Sequence, residues 1–246
     1  MRFVLIASIL LNLLLFAYIL NKRRDYSKRD IIKKEIYSDG QNIKQIQDQN
    51  NINRAEIYSN LSAVDSNDIV FFGTSITENF PVTEIFGSNV KNRGIAGNHL
   101  SHMAERLQGI IEGHPKKIFL EGGINDLFSG DPVDSVFAHY KMIVEKIKDS
   151  SPGTEIIIQS TFPTFYEREK FNHLVLILND SLMQYANIHH IRYIDIYTMM
   201  DHSELYVDGL HPNARGYTIW RKLIRPFIFN DTPAATGFKK EANPSE

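Results

Sequence analysis

The chain has 246 residues, of which 43% are hydrophobic and 23% are charged, and its formal net charge is −2. This length and composition are typical of one globular domain with a sizeable core, and the near-neutral charge gives no electrostatic basis for a nucleic-acid partner. The sequence has no cysteine, which excludes disulfides, thiolate nucleophiles and cysteine-ligated metals.

The N-terminal segment is strongly apolar. The run from Phe3 to Leu20 is interrupted only by Ser8 and Asn12, and a helix rising ~1.5 Å per residue over this run spans ~27 Å, close to the hydrocarbon thickness of a bilayer. The alternative is a cleaved signal peptide, which requires a basic start and a small-residue cleavage site. Only Arg2 precedes the run and no such site comes after it. We predict an uncleaved transmembrane anchor over residues 1–21, and hence a membrane localisation.

The segments on either side of the central part of the chain are polar. Residues 22–52 carry many charges with scattered isoleucines, which predicts a juxtamembrane linker. Seven Lys and Arg lie between residues 22 and 34, and the positive-inside rule then favours a cytoplasmic location for the domain C-terminal to the linker. Residues 230–246 mix Pro, Ala, Gly, Lys and Glu without a period and are predicted to form a flexible tail.

Residues 53–229 have the pattern of one folded domain. Short apolar runs predict strands at 68–72, 89–92, 117–121, 155–159 and 191–195. Apolar residues at helical spacing predict helices near 53–63, 99–112, 132–148, 167–186 and 212–229. This alternation indicates βαβ units, and therefore a parallel sheet with helices on both faces.

Ligands of such sheets bind at the carboxyl ends of the strands. In this chain, those ends are followed by glycine and polar residues: Gly73 to Ser75, Gly94 to Asn98, Gly123 to Asp126, Ser160 to Phe162, and the stretch that leads to Asp208 and His211. Hydrolysis of an ester needs a nucleophile, a base, a group that orients the base, and donors for the oxyanion. Each of these has a candidate at a strand end.

Ser75 is the candidate nucleophile, since a sharp turn after Gly73 can present its hydroxyl. Taken alone, Ser75 fits a helix cap better. Asp208 and His211 are three residues apart, so the carboxylate can reach one imidazole nitrogen and leave the other to face Ser75. An Asp-x-x-His pair arises by chance in about every second chain of this composition, so it is weak evidence by itself.

Gly97 and Asn125 are the candidate oxyanion donors. A glycine backbone N–H and an asparagine side-chain amide can both donate to an oxyanion, and glycine lets the substrate approach closely. The simpler interpretation of Asn125 and Asp126 is a turn or a helix cap. Each of these signals is weak, but their order at successive strand ends is not.

Four blocks of the sequence resemble the four sequence blocks of the SGNH/GDSL hydrolases, which include GDSL-like lipases and acylhydrolases and the lysophospholipase- and acetylhydrolase-like esterases. The blocks occur in the order of that family within about residues 55–228. They are Gly73 to Glu78, Asn92 to Gly97, Gly123 to Asp126 and Asp208 to Asn213. The resemblance implies a flavodoxin-like, three-layer α/β/α fold around the five-stranded parallel sheet, here preceded by one transmembrane helix.

The resemblance also implies an ester hydrolase or lipase mechanism without a metal or cofactor. Ser75 would be the nucleophile, with Asp208 and His211 completing a triad. The backbone N–H groups of Ser75 and Gly97 and the side chain of Asn125 would be the oxyanion donors. Residues that bind the rest of the substrate are not identified by the resemblance.

Two positions depart from the pattern of the family or leave its alignment open. The first block of the family usually reads Gly-Asp-Ser, and here Thr74 replaces the Asp. Since that Asp is not a member of the triad, we expect activity to survive with altered local hydrogen bonding. In the second block, Gly94 is an alternative to Gly97.

The resulting expectation is a membrane-tethered carboxylic ester hydrolase with a small acyl-ester substrate, acetyl or another short acyl group on a glycan or lipid. An O-acyltransferase, in which a hydroxyl acceptor replaces water, fits the same residues. A non-catalytic binding module with this fold is the alternative from another class. Exported, signal-anchored relatives oppose the positive-inside rule, so the side of the membrane stays open.

Two further groups of residues have other interpretations. His99, His102 and Glu105 recur at helical spacing, but no fourth ligand follows, so a solvated helix face is favoured over a metal site. Aromatic residues after the fourth strand, and the segment 127–130 after the third, can either wall a substrate pocket or fold onto the core. The aromatic residues are Phe162, Phe165, Tyr166 and Phe171.

Overall fold

A computed structural model of the chain describes residues 49–60 and 63–230. The predicted anchor, most of the predicted linker and residues 231–246 of the predicted tail lie outside these ranges. No helix within them is long and apolar enough to cross a bilayer. The chain divides into two units, residues 1–53 and 54–246. In the first unit the described residues, 49–53, are helical.

The centre of the second unit is a sheet of five parallel strands, as the sequence predicts. The strands are β1 (Ile69–Gly73), β2 (Val90–Gly94), β3 (Lys117–Leu120), β4 (Glu155–Gln159) and β5 (Arg192–Ile194). Their order in the sheet is β2-β1-β3-β4-β5, with every neighbouring pair parallel. In this register the carboxyl ends of β1, β2 and β3 lie side by side.

The described residues form ten α-helices. They are α1 (residues 49–60), α2 (Ser75–Glu78), α3 (Val82–Phe86), α4 (Leu100–Arg106), α5 (Gln108–Ile111), α6 (Ile124–Ser129), α7 (Val133–Ser150), α8 (Asn172–Ile188), α9 (Ile196–Met200) and α10 (Ala214–Phe229). The described ranges also contain 3₁₀ helices at Tyr166–Phe171 and Ser203–Leu205.

The two faces of the sheet are covered by different helices, which gives the predicted three layers. Phe71 stacks on Phe119 at 4.5 Å between ring centroids and contacts Trp220 of α10 edge-on. Because side chains alternate along a strand, Phe72 points to the other face, where Arg106 of α4 lies over its ring. Every residue of β1 is buried, as expected of a strand that is covered on both sides.

Two predicted helices differ in detail from the observed ones. The helix predicted over 99–112 is two helices, α4 and α5, because Ile110 N–H donates to the Leu107 carbonyl only three residues back. The helix predicted from residue 167 begins instead as the 3₁₀ helix Tyr166–Phe171, whose first residue, Tyr166, has a left-handed φ of +59°. The short helices α2, α3, α6 and α9 were not predicted, since four to six residues are too few to show a helical period.

Candidate active site

The turn that carries Ser75 lies at the carboxyl end of β1. The strand ends at Gly73, Thr74 comes next, and α2 begins at Ser75. As the first residue of the helix, Ser75 has a backbone N–H without an intrahelical acceptor. A Cβ on Gly73 would lie 2.2 Å from the Thr77 hydroxyl. Only glycine fits where the strand meets the helix so closely.

Asp208 and His211 form a compact turn before α10. Asp208 Oδ2 lies 2.9 Å from His211 Nδ1, and Oδ1 accepts from the backbone N–H groups of Leu210 (3.0 Å) and His211 (2.8 Å). The carboxylate therefore fixes both the backbone and the imidazole ring of the histidine. Gly209 at the apex has a left-handed φ of +78°, a conformation that glycine adopts at little cost.

The segment after β4 forms hydrogen bonds to the backbone of the Asp208–His211 turn. Phe165 N–H donates to the Gly209 carbonyl at 2.9 Å, and the Arg168 guanidinium donates to the Asp208 carbonyl at 2.8 Å. A Cβ on Gly209 would lie 2.6 Å from the Phe165 carbonyl oxygen, so the two segments are in direct backbone contact. Arg168 has no sequence signal of its own, because its contact depends on the packing of two distant loops.

Tertiary packing places Ser75 beside this turn. Ser75 Oγ lies 2.9 Å from His211 Nε2, across 136 residues of sequence. With Asp208 ionised, Nδ1 carries the proton that faces the carboxylate, so Nε2 can accept from the serine hydroxyl. The three side chains form one hydrogen-bonded line, and the Ser75 side of that line is half-buried.

The carboxyl of Asp208 has a low pKa. Partial burial raises the pKa, but the hydrogen bonds from the backbone and ring of His211 and from Leu210 N–H outweigh it and lower the value to about 2. Asp208 is therefore ionised at neutral and mildly acidic pH.

We expect Asp208 to stabilise the fold at neutral pH and to lose this contribution in acid. Its folded pKa lies below the ~3.9 of an unfolded chain, so the stabilisation is complete above about pH 4 and is lost as the pH falls toward 2. The measurement is urea unfolding of the wild type and Asp208→Asn between about pH 7 and pH 3, where the difference in free energy of unfolding should shrink. The side chain is 44% exposed, so solvent screening keeps the effect small. A difference that is constant with pH contradicts the expectation.

The loop after β2, which carries Gly97, contacts both the Ser75 turn and Asn125. Ile95 N–H donates to the Gly73 carbonyl at 3.1 Å, and Ala96 N–H donates to Glu78 of α2 at 2.5 Å. Asn125, the second residue of α6, donates its amide to the Asn98 carbonyl at 2.9 Å. The loops after β1, β2 and β3 are thus joined by hydrogen bonds at one edge of the sheet.

Gly94 and Gly97 have different surroundings. Gly94 ends β2, where its N–H donates to the Asn92 side chain and its Cα faces the backbone of Glu78, 2.2 Å from the position of a Cβ. Gly97 lies in the loop with a left-handed φ of +72°, and no acceptor in residues 49–60 or 63–230 is found for its N–H. Gly94 therefore allows β2 to pack closely against α2, whereas the backbone N–H of Gly97 is available to donate a hydrogen bond.

The other polar and aromatic candidates lie around the site. His102 contacts His99 and accepts from its backbone N–H at 3.3 Å, but the side chains whose ligand atoms lie within 4.8 Å of one another are those of His99, Asp126 and Asp131. Both Asp126 oxygens, however, already face the Leu100 N–H at the start of α4, at 3.1 and 3.3 Å. This arrangement is explained as a helix cap.

The aromatic residues after the third and fourth strands divide between core and surface. Phe162 is buried against Trp220, whereas Tyr166 is 63% exposed. Phe128 and Phe171 contact each other with ring centroids 4.8 Å apart, which joins the loops after β3 and β4. The core alternative holds for Phe162, and a role of the other aromatic residues in a substrate pocket stays a prediction.

Sequence comparison identifies the family. Residues 71–219, well over half of the chain, match the profile of the GDSL-like lipase/acylhydrolase family. The chain belongs to this family. The resemblance predicted from the four sequence blocks is confirmed. No curated protein matches the chain in sequence.

Solved structures agree with the family. A candidate acylhydrolase from Bacteroides fragilis is 25% identical, with a TM-score of 0.63 over 72% of this chain and 94% of that one. A GDSL-like lipase from Bacteroides thetaiotaomicron is 24% identical, with a TM-score of 0.60 over 68% and 89% of the two chains. The acetylxylan esterase Axe2 from Geobacillus stearothermophilus is 17% identical, with a TM-score of 0.56 over 68% and 95%. The last two similarities show the shared fold.

Proposed function

We propose that this chain is a serine ester hydrolase that forms an acyl-enzyme on Ser75. The observation that carries the proposal is the hydrogen-bonded line from Ser75 Oγ through His211 to Asp208, with both contacts at 2.9 Å. A serine, a base within reach and a carboxylate that orients the base are the groups that covalent acyl transfer requires. Membership of an acylhydrolase family supports the same chemistry.

In this mechanism, proton transfers by His211 accompany each step. Nε2 takes the Ser75 proton as Oγ bonds to the carbonyl carbon, and it gives that proton to the alcohol oxygen as the ester C–O bond breaks. Water then attacks the acyl-enzyme with the same proton transfers and releases the acid and free Ser75. Asp208 accepts from Nδ1, which directs the lone pair of the neutral imidazole to Nε2, and it stabilises the imidazolium that forms in between.

The oxyanion of each tetrahedral intermediate needs donors that are already in place. Ser75 N–H has no intrahelical acceptor, Gly97 N–H has none in the described ranges, and Asn125 directs its amide toward the Gly97–Asn98 loop. These three groups are the proposed oxyanion hole. Gly94 is not part of it, because its N–H already donates to Asn92.

The proposed substrates are esters of acetyl or another short acyl group on a glycan or lipid. An acylated glycan is included because an acetylxylan esterase has a similar fold. A lipid ester is included because the family description also covers lipases. We further propose that residues 1–21 anchor the enzyme in a membrane, which would place it beside lipid or envelope-polymer substrates. Resistance of the full chain to extraction with alkaline carbonate tests the anchor.

The test of function uses the full chain in detergent. It is incubated with a fluorophosphonate probe and with p-nitrophenyl esters of increasing acyl length. Covalent labelling of Ser75, located by peptide mass analysis, together with turnover of short esters supports the proposal. A folded chain that neither labels nor hydrolyses any ester contradicts it and favours a binding module. Labelling without hydrolysis, with acyl transfer only when a hydroxyl acceptor is added, identifies an acyltransferase instead.

Replacing Asn125 by alanine is expected to lower kcat by about 10²–10³-fold, since it removes one oxyanion donor. The control is Thr154→Val at the opposite edge of the sheet, which removes a side-chain hydrogen bond to the Pro115 carbonyl. Steady-state kinetics on one ester and thermal unfolding are measured for both variants, and only the Asn125 variant should lose kcat. An Asn125 variant with the kcat of the wild type would remove this residue from the oxyanion hole.

A further inference from the structure

Glu121 is a buried carboxylate directly beneath the serine turn. It comes directly after β3 and is 0% exposed. Its oxygens accept from the Thr74 N–H at 3.0 Å, from the Thr74 hydroxyl at 3.2 Å and from the Thr77 hydroxyl at 2.9 Å. In the described part of the chain, lysine and arginine form ion pairs with Glu78, Asp68 and Glu155. No such ion pair among the described residues involves Glu121. A carboxylate buried without a cation is rare unless hydrogen bonds compensate its desolvation.

The donors to this carboxylate bracket Ser75. Thr74 immediately precedes the nucleophile, and Thr77 lies two residues after it. Helix α2 has only four residues, too few for its own hydrogen bonds to define a stable orientation. The hydrogen bonds to Glu121 tie both ends of this turn to the end of β3, which is part of the rigid sheet.

The packing around Gly73 is adapted to the same carboxylate. A Cβ on Gly73 would lie 2.5 Å from Glu121 Oε2 as well as against the Thr77 side chain. The glycine before the turn therefore makes room for Glu121. Thr74 stands where the family usually has Asp, and its hydroxyl donates to the buried carboxylate, which a second carboxylate in its place could not do while ionised.

The environment of Glu121 makes these hydrogen bonds important to the carboxylate itself. Burial raises the pKa of Glu121, and the hydrogen bonds from Thr74 and Thr77 oppose this rise without reversing it. The contacts that tie Glu121 to the Ser75 turn therefore also stabilise its charged form against desolvation.

We propose that Glu121 is a positioning residue that, through Thr74 and Thr77, holds the Ser75 turn in its reactive orientation. The inference rests on the proposed esterase function. It assigns to Glu121 no contact with substrate. Its effect is on the placement of Ser75 Oγ against His211 and of Ser75 N–H against the oxyanion, and small displacements of such groups are costly to the rate.

The first test is Glu121→Gln, which keeps the size of the side chain and one carbonyl acceptor. We expect kcat to fall about 10- to 100-fold and the rate of fluorophosphonate labelling to fall with it, while KM changes less than about threefold. A KM effect without a kcat effect, or unchanged kinetics in a folded variant, overturns the proposal.

A pair of Thr77 variants tests the same proposal without replacing the buried carboxylate. Thr77→Val removes one hydrogen bond to Glu121 and should lower kcat in the same sense, whereas Thr77→Ser keeps the hydroxyl and should restore kcat to within about threefold of the wild type. If Glu121→Gln does not fold, this pair decides. Equal kcat in the two Thr77 variants overturns the proposal.

The matched control is Thr154→Val, at the opposite edge of the sheet. Thr154 is a buried threonine that immediately precedes β4 and donates its hydroxyl to the carbonyl of Pro115. Loss of this hydrogen bond should lower Tm but leave kcat unchanged. Kinetic losses that follow Tm through all the variants, Thr154→Val included, indicate a merely structural role and overturn the proposal. A wild-type chain that neither labels nor hydrolyses esters overturns the proposed function and this inference together. An active wild type with unaffected variants overturns only the inference.

Discussion

Replacing Ser75 by alanine is expected to abolish fluorophosphonate labelling and to lower kcat by up to ~10⁶-fold, with little change in stability. The reason is that the Ser75 oxygen, 2.9 Å from His211 Nε2, is the proposed attacking atom. Without it, water must attack the ester directly, and only the oxyanion donors and substrate binding still accelerate the reaction. Steady-state kinetics, probe labelling and thermal unfolding of the purified variant give the three measurements.

The protein contains a matched control for this variant. Ser151 Oγ lies 3.2 Å from His114 Nδ1, so it is a second serine–histidine contact, placed before β3 and β4 at the amino-terminal edge of the sheet. Ser151→Ala should label and turn over ester like the wild type. Labelling that persists in Ser75→Ala would place the reactive serine elsewhere.

Replacing His211 by alanine is expected to lower kcat by a similar factor, up to ~10⁶-fold, because Ser75 then has no base and the leaving alcohol has no acid. The double variant Ser75→Ala/His211→Ala should be no slower than either single variant, since the groups act as one unit. Asp208→Ala should cost less, about 10⁴-fold, because it removes orientation and charge but leaves the base. Initial rates on one short ester are measured for all four variants beside the wild type, with His211→Ala and the double variant compared directly.

Two outcomes would count against this assignment. Losses that multiply in the double variant would mean that Ser75 and His211 act independently, contrary to their direct contact. Full activity in His211→Ala would show that another group takes the serine proton. The control His114→Asn removes another histidine that contacts a serine, and asparagine tolerates the left-handed φ of 49° at that position. It should leave the rate unchanged.

The sheet could be predicted because its strands are covered on both faces. A run such as 69–73 is apolar at every position, and burial on both sides requires that composition. The helices long enough to show a period, α7, α8 and α10, were predicted for a related reason, since each presents one apolar stripe to the core. The four short helices could not be, because their positions depend on where the strands end in space.

The candidate site divides in the same way. The Asp208–His211 contact is local, three residues apart and closed by backbone hydrogen bonds to the same carboxylate, so spacing alone suggested it. The burial of Glu121 under the serine turn, and the support of the Asp208 carbonyl by Arg168, had no sequence signal beyond a charge at a strand end or in a loop. Both contacts join loops that are distant along the chain.

The sequence by itself determined the class of fold and which strand ends carry reactive side chains, because apolar periodicity and the chemistry of serine, histidine and asparagine are local properties. Tertiary structure decided three features of the candidate site: the contact between Ser75 and His211 across 136 residues, the availability of the N–H of Gly97 rather than that of Gly94, and the position of the Glu121 carboxylate beneath the Ser75 turn. Distances and burial of this kind arise from how strands align in the sheet and how loops pack over its edge, and no spacing along the chain encodes them.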